Sequence, residues 1–130
     1  MNSFEKSKYW LELAYDDIET AKWLLEGNKL LECGLFCHLA VEKALKAVVT
    51  EVTKEIPPRV HDLLRLARLG KVYEEITEQQ IDFLDEITPL QIEARYPEYK
   101  DQIALGLSNG ICGEMIAETE ELLCWIKQQL

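Results

Sequence analysis

A chain of 130 residues is about the length of one domain, enough to bury a single core without disulfides or a structural metal. Hydrophobic residues at 48% and charged residues at 29% give a globular balance and exclude a disordered chain. A net charge of −10 excludes general coating of nucleic acid, which draws its energy from neutralising phosphates, and no apolar run approaches the roughly 18 to 20 residues that span a bilayer.

In chain order, the first predicted helix covers residues 3–26. Asn2 and Glu5 have capping-box spacing, Gly27-Asn28 supplies the stop, and Leu11, Ala14, Ile18, Ala21 and Leu25 recur every three or four residues, with Trp10 and Leu24 widening the stripe. The second covers 30–54, with Cys33, Phe36, Cys37, Ala40, Ala44, Ala47 and Val48 facing inward. Its small residues let a neighbouring helix approach closely. Glu42, Lys43 and Lys46 fall off that stripe and share one side of the helix, where the carboxylate beside two lysines is placed for a local salt bridge. Pro57-Pro58 demands a turn, because neither proline donates a backbone hydrogen bond.

A short helix is expected over 62–69, closed by Gly70, with Asp62 as its N-cap. Another begins after Thr77, again with capping-box spacing to Gln80, and turns Ile81, Leu84 and Ile87 inward until Pro89 ends it. Arg95-Tyr96-Pro97 reads as an extended turn. The last helix covers 108–129, with Cys112, Met115, Thr119, Leu122 and Ile126 at helical spacing. Strand-like alternation and internal repeats are absent. The expected architecture is all-α: residues 1–130 form one up-down bundle of four to five helices. The two long N-terminal helices form a hairpin, and the C-terminal helix packs across it.

Charge is unevenly spread. Residues 43–71 carry seven basic side chains against three acids, whereas residues 72–130 carry three against thirteen. A local cationic patch on an acidic body is one reading, and ordinary solvated helix faces are the other. The start of the chain, Met1-Asn2-Ser3-Phe4-Glu5-Lys6, lacks the basic and apolar regions of a signal peptide. The expectation is a cytoplasmic protein with reduced Cys33, Cys37, Cys112 and Cys124.

Three segments together resemble the HEPN family. Ala40-Val41-Glu42-Lys43-Ala44-Leu45-Lys46-Ala47 is similar to the second-helix pattern A-x-E-K-x-L-K-A. His61-Asp62-Leu63-Leu64-Arg65-Leu66 is similar to H-D-L-x-x-L, and Arg95-Tyr96-Pro97 to the R-Y-P turn. Ala14-Tyr15-Asp16-Asp17-Ile18-Glu19-Thr20-Ala21 also resembles the family's first helix, A-x-x-D-L-x-x-A. The resemblance implies a helical bundle, often a homodimer, encoded beside a minimal nucleotidyltransferase and sometimes acting with it as toxin and antitoxin. Some branches are ribonucleases that use Arg and, after four to six residues, His. That motif is absent, since neither His38 nor His61 has an arginine at the required upstream position.

The candidate nucleotide-binding residues are Lys43, Lys46, Arg59, His61, Arg95 and Tyr96. His61 follows the Pro-Pro turn at a helix entrance, where unpaired N–H groups favour phosphate; its imidazole would equally lock the turn by bonding a backbone carbonyl. Arg95 offers a forked donor for phosphate and Tyr96 a ring for a base, unless the first pairs with a carboxylate and the second plugs the core. Lys43 and Lys46 sit three apart and either hold an anion or are solvated. Cys33 and Cys37 have no second spaced pair, so metal binding is not expected. No catalytic triad, glycine-rich phosphate loop or dinucleotide fingerprint occurs, and no cofactor is expected. Three functions follow: a nucleotide- or RNA-associated module working with a nucleotidyltransferase, a ribonuclease built on Arg59, His61 and Arg95, or a structural homodimer without ligand. None involves a membrane.

Overall fold

The computed structural model describes residues 1–91 and 96–130. Among these every regular element is helical: α1 (Ser3–Glu26), α2 (Leu30–Thr53), α3 (Leu63–Leu69), α4 (Glu78–Ile87), a 3₁₀ turn (Thr88–Leu90), α5 (Pro97–Leu105) and α6 (Asn109–Gln129). No described helix is long and apolar enough to cross a membrane.

Side-chain caps fix most of the starts. Asn2 Oδ1 accepts the Glu5 N–H at 2.8 Å, Asp62 Oδ1 that of Arg65 at 3.1 Å, and Ser108 Oγ that of Ile111 at 3.1 Å. At α4 both halves of a capping box form: Thr77 Oγ1 accepts from Gln80 N, and Gln80 Oε1 accepts from Thr77 N. Helix exits rely on left-handed residues that are not glycine: Asn28 after α1, Lys54 after α2 and Lys71 after α3, all near φ 60°. Gly27 caps α1 at φ −81°, so the reversal between the two long helices turns on Asn28.

α1 and α2 form the expected antiparallel hairpin, and α6 packs against both. Ala14, Ala21, Ala40, Ala44 and Ala47 are wholly buried, so the backbones lie close, and Leu45, Leu122, Leu123 and Ile126 fill the space under α6. Each fully buried aliphatic side chain of this kind contributes about 1.5–3 kcal/mol.

Two features depart from the sequence reading. α2 is the central rod, touched by α1, α3, α4, the 3₁₀ turn, α5 and α6, so it has almost no solvated side. Glu42 and Lys46, which fall off the predicted inward stripe, are only 5% and 7% exposed. The second departure is α5. Tyr96 is extended (φ −87°, ψ 131°), as a residue before proline must be, but Pro97 then opens a nine-residue helix where only a turn was expected. None of its side chains is buried, so it has no apolar stripe to reveal it.

Close approaches draw α2 to its shorter neighbours. A Cβ at Gly34 would lie 2.8 Å from Leu90 Cδ1, so the 3₁₀ turn rests on α2 where no side chain intervenes. A Cβ at Gly70 would lie 3.1 Å from Val48 Cγ1, which seats the end of α3 on the same rod.

Candidate functional site

Glu42 is the hub of a polar cluster where α2 meets the loop into α3. Its Oε2 accepts from Lys46 Nζ, one turn later, at 2.9 Å. Its Oε1 accepts from His61 Nδ1 at 3.0 Å, across the Pro57-Pro58 turn. His38 Nδ1, one turn earlier on α2, is 3.7 Å from the same oxygen. Trp10 of α1 closes the group, with Lys46 Nζ 5.6 Å from its ring centroid. Pro57 is buried and anchors the turn that delivers His61.

This geometry assigns roles to the two edges of His61. A carboxylate is an acceptor, so Nδ1 carries hydrogen and donates to Glu42. Nε2, on the opposite edge of a ring whose side chain is 49% exposed, accepts a proton when the ring is neutral and donates to an anion when it is charged. Asp62, the next residue, caps α3 as expected, which fixes the chain direction just beyond the imidazole.

The remaining candidates separate. Lys43, three residues before Lys46 on α2, pairs with Asp17 of α1 at 2.7 Å and not with Glu42. Both lysines thus have carboxylate partners. Arg59 shares the loop with His61, is exposed, and forms no ion pair among the described residues. Tyr96 is 54% exposed at the start of α5 and does not plug the core. Arg95 lies outside the described residues. The structure therefore gathers Lys46 and His61 at one carboxylate, with Arg59 two residues before His61 in the same loop. Sequence reasoning assigned Glu42 no more than a local salt bridge. Its two i, i+4 neighbours, His38 and Lys46, were the available signal, but the link to His61 spans 19 residues.

The cysteines form a separate feature. Cys33, Cys37 and Cys112 are buried free thiols, and Cys124 is exposed. Hydrogen bonds from Cys37 and Cys112 draw the Cys33 thiol below its ordinary value, although burial opposes this. Cys37 is pushed far up by that donation and by burial. Burial, followed by Cys33, pushes Cys112 up to about 11. No group of three or more metal-binding side chains converges among the described residues.

The family model described as HEPN domain matches residues 7–129. TT1696 from Thermus thermophilus superposes with a TM-score of 0.78 at 20% identity, covering 100% of both chains. ST0689, described as an archaeal HEPN homologue, superposes with a TM-score of 0.64 at 20% identity, covering 95% of this chain and 97% of its own. At this identity the two structures speak to the fold. No curated protein matches.

Proposed function

The chain belongs to the HEPN domain family, matched over residues 7–129, and on that footing we propose that it is a nucleotide- or RNA-associated helical module. In this reading it forms a homodimer in the cytoplasm and works beside a minimal nucleotidyltransferase, in a system of toxin–antitoxin type. The observation that carries the ligand is the half-exposed His61, held through Nδ1 by buried Glu42 and flanked in its loop by Arg59. Protonated His61 and the Arg59 guanidinium supply charge-assisted donors for phosphate. Lys46 and Lys43 act mainly by neutralising Glu42 and Asp17, which would otherwise repel an anion. Arg95 and Tyr96 complete the proposed contacts, the ring as a stacking surface.

Titration calorimetry with ATP, GTP and a short oligoribonucleotide tests the ligand, and co-purification with a nucleotidyltransferase encoded beside the gene tests the partner. Binding that weakens in His61→Ala and Arg59→Ala is the expected result. Absence of heat with every ligand, together with an empty co-purification, refutes the reading.

The Glu42–His61 contact also favours a second reading, a ribonuclease. A carboxylate that orients an imidazole leaves Nε2 poised to take a proton from a ribose hydroxyl, with Arg59 and Arg95 stabilising phosphoryl charge. RNA cleavage by the wild-type chain that disappears in His61→Ala is expected on this view, and cleavage that survives the substitution refutes it.

A further inference from the structure

Beyond His61, α3 presents cations that neither reading uses. Its inner side is Leu63, Leu66 and Ala67, all buried. Arg65 and Arg68 are three apart on the opposite side, and both are exposed. Residues with that spacing have Cβ atoms about 5–6 Å apart and form one ridge. Arg59 precedes this ridge in the loop, and exposed Lys71 follows it at the left-handed exit. Neither arginine is ion-paired among the described residues. Asp62, the one acid within the strip, accepts the Arg65 backbone N–H. Arg68 lies over the ring of Tyr73, 4.5 Å from its centroid, and a shallow hollow lined by Arg68, Lys71 and Tyr73 is bounded by Glu74 and Glu75.

We propose that the outer face of α3 is a track for single-stranded RNA, running from the His61 loop along Arg65 and Arg68 and ending with a base stacked on the Arg68–Tyr73 pair. This rests on the nucleotide- or RNA-associated reading and deepens it by assigning the RNA to the outer face of α3. Charge complementarity points to a polyanion, because these cations stand together on a molecule of net charge −10. The Arg68–Tyr73 pair favours RNA over an acidic protein. A planar guanidinium held over a ring offers a flat surface on which a base stacks, a contact that a carboxylate, which binds only the N–H edge, does not use. The carboxylates of Glu74 and Glu75 repel phosphates beyond Tyr73, which limits the track to a few nucleotides.

Fluorescence anisotropy of the full chain with a labelled eight-nucleotide oligouridylate, measured across a salt series, tests the track. Arg65→Gln is expected to lower the slope of log affinity against log salt by about 0.7, the value for one lost phosphate contact on a single strand. Arg68→Lys keeps the charge and loses the plane, so the slope should hold while affinity falls about tenfold. These residues are exposed, and unchanged circular dichroism confirms that each variant folds. ATP titration of the same variants separates the two ideas. Oligouridylate binding insensitive to Arg65 and Arg68, with ATP binding that still depends on His61, overturns the track and leaves the nucleotide reading standing. Failure of both ligands overturns both. Equal binding of a polyglutamate peptide, lost in the same variants, also overturns the track and assigns the face to an acidic protein.

Discussion

Replacing Glu42 with glutamine preserves shape and removes one charge from a site only 5% exposed. Lys46, 7% exposed, then keeps its ammonium group in a nearly dry position with an amide oxygen in place of a carboxylate. Removing one partner of a buried ion pair costs about 3–5 kcal/mol, and the amide still accepts a hydrogen bond, so the lower end, about 3 kcal/mol, applies. Unfolding entropy of about 2.1 cal/mol/K per residue converts 1 kcal/mol into about 3.7 °C for a 130-residue chain, so Tm should fall by about 11 °C. Thermal unfolding followed by circular dichroism at 222 nm and pH 7 measures this directly. Combining Glu42→Leu with Lys46→Met removes both charges and should recover most of the loss, because a dry apolar pair replaces a stranded cation. A drop of less than about 3 °C for Glu42→Gln, or a double variant as unstable as the single one, refutes the picture of a buried, mutually dependent pair.

Other expectations follow from features away from that pair. Under native conditions iodoacetamide should modify Cys124 alone; Cys33, Cys37 and Cys112 should react only after unfolding, and mass spectrometry counts the adducts. Gly34→Ala gains helix propensity of about 1 kcal/mol but forces buried Leu90 aside, for a net loss of about 1 kcal/mol; in a Leu90→Ala background the same substitution should become stabilising, as urea unfolding would reveal. Burial, with Glu118 and Glu114 beside it, raises the Glu86 carboxyl above its ordinary value. A raised acid favours the folded state less when ionised, so its penalty is present at neutral pH and vanishes as pH falls through the raised value. Glu86→Gln should therefore stabilise by no more than about 0.5 kcal/mol at pH 7, given its exposure, with the gain gone at acid pH in the same unfolding assay.

What could be read from sequence was local. Asn2, Thr77 with Gln80, and Asp62 announced helix starts because a cap acts within three residues of itself. Leu11, Ala14, Ile18 and Ala21, like Cys112, Met115, Thr119, Leu122 and Ile126, announced buried faces because one helix meets one core. Lys46 misled for the opposite reason. Its fate depends on how many neighbours surround α2, a property of the whole bundle that helical spacing does not encode. The Glu42–His61 contact was hidden because a turn of unknown direction separates the two residues, and only the folded path of Pro57-Pro58 brings them to 3.0 Å. The sequence did supply each participant: Glu42 and Lys46 in one motif and His61 in another. α5 escaped because a helix that buries no side chain leaves no periodic trace.

The contrast between α2 and α5 also grades resistance to opening along the chain. Residues 44–50 of α2 are all buried under neighbours on several sides, so their amides can exchange with solvent only when most of the bundle opens. α5 has half-buried Ile103 as its main anchor, and its amides should exchange orders of magnitude sooner. The chain thus opens last at the spine that bears Glu42 and first at the segment that carries Tyr96 and Tyr99.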